Sequence, residues 1–213
     1  MTVSLEQLPG VWRRELLAWP DGRRDTTTTV LWVQGPTFYA DLRQGTDGQE
    51  GFAGELVLAG GVFEWCRWLD LSPPGPYGDR GRLAFDGDVL VEDGADVSYV
   101  ERWRRLPRST GISAALHLTR PGEEAVLVRA GAYLAYVLGV PGAQDCEIHI
   151  CVDQTIEWSS VPGCLGGRFD PVLDGDRMTL GTEHWQVQAA EGDLTAFGQA
   201  GTTRTTHEKR TFP

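Results

Sequence analysis

Hydrophobic and polar residues alternate along most of the chain, in short runs that glycine, proline and aspartate interrupt. Alternation of this kind is typical of β-strands, because successive side chains point to opposite faces. In the first half it predicts strands near 10–19, 27–34, 37–43, 52–58, 62–71, 81–86, 88–92 and 97–106. In the second half the predicted strands lie near 112–119, 124–130, 132–138, 145–152, 154–159, 168–173, 176–181 and 183–190. About one strand per dozen residues is the spacing of a sandwich or an up-and-down barrel.

Helix is predicted at one place, Ser4 to Leu8, where Ser4 and Gln7 have the spacing of a capping box. Pro9 and Gly10 then end the helix. Asp-Gly pairs predict tight hairpin turns between the strands, since both residue types tolerate positive φ. These pairs begin at Asp21, Asp47, Asp86, Asp93 and Asp174.

A pattern of residue types occurs twice along the chain, which indicates a duplicated β-unit. The first copy contains Phe63-Glu64-Trp65, Gly81-Arg82, Asp86-Gly87-Asp88 and Glu101-Arg102-Trp103. The second copy contains Ile156-Glu157-Trp158, Gly167-Arg168, Asp174-Gly175-Asp176 and Glu183-His184-Trp185. The order is the same, and the gaps are shorter in the second copy.

The repeat predicts one β domain over 1–213, built of two halves at about 9–106 and 111–190. The joining segment is short, and each half alone would be small for a stable core, which favours one folding unit. The alternative is two small β-barrels. About sixteen short strands exceed what one soluble ligand-binding barrel normally uses, so this alternative stays open.

The segment Leu8-Pro9-Gly10-Val11-Trp12 resembles the start of the calycin superfamily, which includes lipocalins, fatty-acid-binding proteins and haem-binding nitrobindins. The resemblance rests on a short helix, then G-x-W opening the first strand, then a meander of hairpins. It implies that Gly10 and Trp12 are structural residues, and that an arginine of a late strand packs over Trp12 at the barrel floor. The candidates for that arginine are Arg102, Arg104 and Arg105. The expected fold is therefore an all-β, antiparallel, calycin-like barrel, internally repeated, with one short N-terminal helix.

Composition narrows the classes of partner. The 213 residues are 41% hydrophobic, which is enough for a core, and the formal net charge is -11. An acidic protein repels phosphate backbones and anionic lipids, so we expect no nucleic-acid and no membrane partner.

The first ten residues lack the basic and apolar regions of a secretory signal, which predicts a cytoplasmic protein. The single lysine, Lys209, argues against Schiff-base catalysis.

Aromatic and charged residues share faces of the predicted strands in the first half. Tyr99, Glu101 and Trp103 lie on one face, and Trp65 and Arg67 lie on one face of a neighbouring strand, together with Phe63 and Leu69. Tyr39, Asp41 and Arg43 form a third such stripe. These stripes predict a polar and aromatic pocket, in which an arginine could bind an anionic group of a ligand. The alternative is that they face outward and form cross-strand pairs on a solvated sheet.

A fourth stripe, Glu147, His149, Cys151 and Asp153, consists of residue types that can bind metal. The opposite face, Cys146, Ile148, Ile150 and Val152, has the pattern of a core, so we interpret the polar stripe as a solvent face. Residues two apart on a strand lie about 7 Å apart, so at most two of the four could share one ion without ligands from other strands, and we expect no metal and no cofactor. A role for His149 as catalytic base or haem ligand stays as the alternative. The four cysteines lack C-x-x-C spacing and are expected to be free thiols.

Three functions remain after these exclusions. The first is binding of a small, partly apolar ligand, which could be carboxylated, in a barrel cavity. Its candidate residues are Tyr39, Arg43, Trp65, Arg67, Trp103 and Tyr136. The second is a cofactor-independent acid–base enzyme of cyclase, isomerase or lyase type, with His149, Glu101 and Tyr99 as catalytic residues. The third is a structural or interaction module whose exposed sheet edges form a homodimer.

The chain has no nucleophile elbow, P-loop or dinucleotide fingerprint, which argues against serine hydrolysis, nucleotide hydrolysis and dinucleotide redox chemistry.

Overall fold

The computed structural model describes residues 3–46 and 48–199, and its regular secondary structure is almost entirely β-strand. The first half contains β1 Gly10–Ala18, β2 Arg24–Asp25, β3 Thr29–Gln34, β4 Phe38–Gly45, β5 Gly48–Ala59, β6 Val62–Asp70, β7 Arg80–Asp86, β8 Val89–Gly94 and β9 Val100–Arg105. The second half contains β10 Ser113–Arg120, β11 Glu123–Ala130, β12 Tyr133–Gly139, β13 Cys146–Val152, β14 Thr155–Ser159, β15 Val172–Asp174, β16 Arg177–Leu180, β17 Glu183–Gly192 and β18 Gly198–Gln199.

The first half is a closed antiparallel barrel of eight strands. The order is β1-β3-β4-β5-β6-β7-β8-β9, and β9 pairs back onto β1 from Trp12↔Arg105 to Ala18↔Val100. The short β2 pairs with the far end of β1. Closure gives both backbone edges of every barrel strand a partner, which removes the free edges of an open sheet.

The second half has the same circular order of strands, opened at one place. Its sheet runs β14-β13-β12-β11-β10-β17-β16-β15, and β18 pairs with β15 in parallel. The missing pair is β14 with β15, which corresponds to β6 with β7 in the first half. That first-half pair is itself short, with only Phe63↔Gly81 and Glu64↔Arg80 in register. The second half is therefore a half-barrel built on the same plan.

The sequence repeat coincides with this shared strand order. Both Asp-Gly-Asp elements form tight hairpins, between β7 and β8 and between β15 and β16, with positive φ at Gly87 and Gly175. Trp103 and Trp185 occupy equivalent strands, β9 and β17, and both are buried inside their sheets. The all-β, internally repeated architecture expected from the pattern is confirmed.

The apolar residues form three layers, and the middle layer joins the two halves. One layer fills the first barrel and another fills the concave side of the half-barrel. Between them, the outer faces of both sheets pack on each other. The contributing residues include Val11, Leu31, Val33, Ala40 and Leu42 from the barrel and Val126, Val128, Ala135, Val137, Ile148 and Ile150 from the half-barrel. Neighbouring residues of β3 therefore belong to different layers: Leu31 and Val33 pack in the middle layer, and Trp32 packs inside the barrel.

Some local predictions need correction or lie outside the described residues. The N-terminal helix is a three-residue 3-10 turn, Leu5–Gln7, at whose start the Ser4 N–H donates to Gln7 Oε1 at 2.9 Å. Asp93 and Gly94 lie in β8, where no hairpin turn occurs. The turn predicted at Asp47 lies outside the described residues. No helix of the described part is long or apolar enough to cross a membrane.

Candidate functional site

The first barrel brings together seven of the residues that the sequence singled out for a pocket or for catalysis. They are Tyr39, Arg43, Trp65, Arg67, Tyr99, Glu101 and Trp103. The strand stripes point inward, because the residues between them pack outward against the half-barrel or face solvent. Leu69 is an exception: an extra residue in β6, opposite Ala53 and Gly54, turns it to the outer layer.

Three arginines inside the barrel each bind carboxylates. Arg14 donates to Glu101 and to Asp25, both at 2.8 Å, while Arg43 Nε donates to Asp41 at 2.7 Å. Arg67 Nη2 donates to Asp79 at 2.7 Å. These buried charges are compensated by charge-assisted hydrogen bonds, as burial demands.

Sequence reasoning missed Arg14, Asp79 and Glu92. Arg14 stands two residues after Trp12 on the same strand, so alternation could have placed it on the inner face. Asp79 lies in the loop before β7, where the pattern carries no directional signal. The interior space is therefore lined by two more carboxyl groups than the stripes indicated, and Arg14 adds one more cation beside them.

Aromatic rings and guanidinium groups fill the barrel around these ion pairs. Trp32 contacts Trp65 and Trp103 edge to face, with ring centres 5.5 and 5.7 Å apart. The Arg67 guanidinium lies 3.5 Å from the centre of the Phe52 ring. The space left among these side chains is about 20 Å³, which is room for about one water molecule. The deep interior is thus too small for an organic ligand.

Two carboxyl groups face each other in this interior. Glu92 and Glu101 are directly opposite on β8 and β9, and the Tyr99 hydroxyl donates to Glu92 Oε1 at 2.7 Å. Burial, followed by the charge of Glu101, raises the pKa of Glu92 well above its usual value. Burial also raises the pKa of Glu101, although Arg43 and Arg14 oppose the shift.

Glycine makes room for this cluster at two facing positions. Gly81 and Gly94 are cross-strand partners on β7 and β8. A Cβ at Gly81 would lie 2.7 Å from Glu92 Cγ, and one at Gly94 would lie 2.5 Å from the Tyr99 ring. The pair Tyr99–Glu92 therefore depends on two residues that have no side chain.

Above the ion pairs, the barrel opens into a recess of about 390 Å³, which we call the mouth recess. Its lining consists of Arg14, Leu17, Asp25, Thr28, Arg43, Gly45, Thr46, Gly48, Gln49, Glu50 and Ser72. Arg43 lines both the mouth recess and the interior space, and its side chain is 24% exposed. The Asp41 carboxylate accepts a hydrogen bond from Arg43 Nε, whereas no described residue accepts one from Arg43 Nη1 or Nη2. The neighbouring carboxylates Asp41, Asp79 and Glu101 raise the Arg43 pKa against the effect of burial, so this group keeps its charge.

The opposite end of the barrel is closed by Trp12. Its indole Nε1–H donates to the Leu8 carbonyl at 2.8 Å, and the Arg105 guanidinium lies 4.3 Å from the centre of its ring. Of the three candidate arginines, Arg105 is thus the one over the tryptophan. Arg102 and Arg104 instead pair with Asp86 and with Glu15 and Asp88 at the surface.

The third catalytic candidate, His149, lies in the half-barrel and does not meet Glu101 or Tyr99. It is 7% exposed and stacks on Tyr136, with ring centres 5.9 Å apart. Cys151 of the same stripe is fully buried, so the interpretation of this stripe as a solvent face is wrong at its centre. The half-barrel buries both faces of β13, one against the barrel and one in its own core. No cluster of metal-binding residues occurs in the described part of the chain.

Ser159 is the polar partner of His149 that the sequence did not reveal. Its Oγ lies 3.0 Å from His149 Nδ1, 3.0 Å from the Val161 carbonyl oxygen and 2.9 Å from the Val161 nitrogen. Glu147 is 3.7 Å from the other ring nitrogen of His149, beyond hydrogen-bond reach. Burial lowers the pKa of His149, partly offset by Glu147. The contact with Ser159 orients the neutral imidazole of His149. The Ser159 hydroxyl can also donate to the Val161 carbonyl oxygen instead of to the imidazole.

A second recess, of about 380 Å³, lies in the half-barrel beside the start of β15. Arg129, Gln154 and Asp170 line one part, and Thr195 and Phe197 another. Gln154 and Asp170 are already joined by a hydrogen bond of 2.7 Å, and Arg129 donates to the Gly131 carbonyl. The polar groups of this recess therefore bind each other more fully than those of the mouth recess.

The comparisons with known proteins concern the fold. The crystal structure of the uncharacterized protein YLR301w from Saccharomyces cerevisiae superposes with a TM-score of 0.66 and 15% sequence identity. The match covers 86% of this chain and 99% of the yeast chain. No protein-family model matches the chain, and no curated protein matches it. At this identity the similarity to the yeast protein shows the fold alone.

Proposed function

We propose that the first barrel is a calycin-like scaffold whose mouth recess binds a small ligand through a carboxylate. The observation that carries this proposal is Arg43, a charged group at the base of a 390 Å³ recess with both Nη groups unused by described residues. Recesses of a few hundred Å³ at barrel mouths are common ligand sites. Arginine binds carboxylates through two parallel hydrogen bonds.

The surroundings of Arg43 hold it in place for this role. Its Nε–H is bound to Asp41, and its guanidinium lies 4.9 Å from the centre of the Phe52 ring. A guanidinium fixed in this way loses little conformational freedom when a ligand binds, which favours affinity. The ligand belongs in the mouth, because the interior below has room for about one water molecule.

The calycin-like part of the proposal rests on the closed end of the barrel. Gly10 opens β1, Trp12 is buried, and Arg105 of the last barrel strand covers its ring. This is the arrangement that the resemblance implied. A cytoplasmic location and a homodimer formed through sheet edges stay predictions, as does the acid–base alternative, for which no described site unites His149, Glu101 and Tyr99.

Calorimetric titration with straight-chain carboxylates from acetate to hexanoate tests the proposal. We expect saturable binding, weakened about tenfold or more in Arg43→Gln, since a hydrogen bond to a charged group contributes about 1.5–3 kcal/mol. Arg104→Gln, which removes a surface arginine of the same barrel, serves as the control and should bind like the unmodified protein. Absence of binding to every member, or equal affinity in Arg43→Gln, would refute the proposal.

A further inference from the structure

We infer that the mouth recess selects zwitterions, with the ligand carboxylate on Arg43 and a ligand ammonium group on Glu50. The inference rests on the proposed function, because it assigns the second charge of the same ligand. Arg43 and Glu50 are direct cross-strand partners on β4 and β5, and both line the recess. An α-amino acid or a related small ammonium carboxylate has the matching chemistry.

Opposite charges placed directly across two antiparallel strands normally pair with each other. Here they do not: Arg43 uses its Nε on Asp41, and no described residue forms an ion pair or hydrogen bond with Glu50. Asp41 and the Phe52 ring hold the guanidinium toward the barrel axis. The strand pair therefore presents a cation and an anion side by side, each with capacity for a further partner.

The other carboxylate of the recess cannot take the ammonium role equally well. Asp25 Oδ2 accepts from Arg14, and its Oδ1 accepts from the backbone N–H groups of Thr27 and Thr28. Glu50 is exposed and has no such partners among the described residues. An ammonium ion donates three hydrogen bonds and gains most from a carboxylate that is not already satisfied.

The dimensions of the pair agree with a small zwitterion. Cβ atoms of directly opposite residues are about 4.5–5.5 Å apart, so the two side chains can reach the two ends of one α-amino-acid head group. The recess of about 390 Å³ has room for the head group and a side chain of moderate size. Polar groups from Thr28, Gln49 and Ser72 complete the wall.

Binding is measured by calorimetry for the twenty L-amino acids singly, and for each binder's analogue with hydrogen in place of the ammonium group. We expect the amino acid to bind at least about tenfold more tightly than this analogue. Glu50→Gln should remove that difference and leave the affinity for the analogue unchanged. Glu55→Gln, on the same strand, is the control and should change neither affinity.

The outcomes separate the two proposals. If the analogue binds as tightly as the amino acid, selection of zwitterions is wrong while carboxylate binding at Arg43 stands. The same conclusion follows if Glu50→Gln weakens both ligands equally. If neither the amino acids nor the carboxylates bind, both proposals fail. Both proposals are supported if Arg43→Gln binds the amino acid and its analogue more weakly while Glu50→Gln weakens binding of the amino acid alone.

Discussion

The Arg105 guanidinium lies 4.3 Å from the centre of the Trp12 ring and joins the last strand of the first barrel to the first. The two residues are direct partners where β9 closes onto β1. Arg105 also donates to the Gln7 carbonyl, while Trp12 donates to the Leu8 carbonyl. Arg105 thus contacts three parts of the closed end of the barrel: the pairing of β9 with β1, the Trp12 ring, and the 3-10 turn that ends at Gln7.

Replacing Arg105 by lysine should destabilise the protein. Lysine keeps the charge but loses the planar group that stacks on Trp12 and reaches the Gln7 carbonyl. We expect a loss of about 0.5–2 kcal/mol in the free energy of unfolding, measured by urea titration. Arg104→Lys, the adjacent exposed position, should leave the unfolding midpoint unchanged; equal effects of both variants would contradict the role of the Trp12 contact.

Glu92→Gln should stabilise the protein, and increasingly so as the pH rises. Burial raises the pKa of Glu92 in the folded state, so the folded protein holds a proton that the unfolded chain releases near 4.5. Folding stability therefore falls as the pH rises from about 4.5 to the folded pKa. Glutamine avoids this cost and retains an oxygen for the Tyr99 hydroxyl.

The expected gain is about 1.4 kcal/mol for each unit by which folding raises the pKa. This gain in the free energy of unfolding is measured by urea titration of Glu92→Gln and of the unmodified protein at several pH values between 4 and 8. Glu157→Gln, at an exposed position, should show no comparable trend. A constant difference between Glu92→Gln and the unmodified protein across this range would show that Glu92 titrates alike in both states.

Glu191→Ala should weaken the contact between the two halves. The Glu191 carboxylate on β17 accepts from the Thr37 N–H at 2.8 Å, the Phe38 N–H at 2.7 Å and the Thr37 hydroxyl at 2.7 Å. Its removal leaves these donors without their acceptor, which costs about 1–3 kcal/mol in unfolding free energy by urea titration. Glu183→Ala on the same strand removes a half-exposed partner of Arg120 and should cost less.

The shared middle layer predicts that both halves unfold together. Barrel and half-barrel bury their outer faces against each other, so either half alone would expose that apolar surface to water. Scanning calorimetry should show one transition whose calorimetric and van't Hoff enthalpies agree. Two separate transitions would instead support the alternative of two independent units.

His149 should remain neutral below the pH at which a free histidine becomes charged. Burial lowers its pKa from 6.5, so protonation of the unfolded chain precedes that of the folded protein. Its contribution to stability is present above pH 6.5 and is lost as the pH falls toward the folded pKa. NMR titration of the imidazole resonances should give a midpoint below 6.5, moving upward in urea; a folded midpoint at or above 6.5 would contradict the effect of burial.

Much of the first barrel could be predicted from alternation alone. Tyr39, Arg43 and Trp103 lie on inner faces because side-chain direction along a regular strand has a period of two residues. The prediction failed at Leu69, where an extra residue in β6 shifts the register and reverses the face. A bulge depends on the partner strand, and a single strand's pattern does not contain it.

The sequence by itself determined most of the strands, the repeat, and most of the residues that share the inner face of the first barrel, because these follow from local alternation and turn chemistry. Only the tertiary structure decided that Arg105 covers Trp12, that His149 lies apart from Glu101, and that β13 is buried on both faces. Each depends on pairings between distant segments and on the packing of one sheet against another. The space left inside the barrel is likewise a sum over side chains from eight strands, so no single segment of the sequence specifies it.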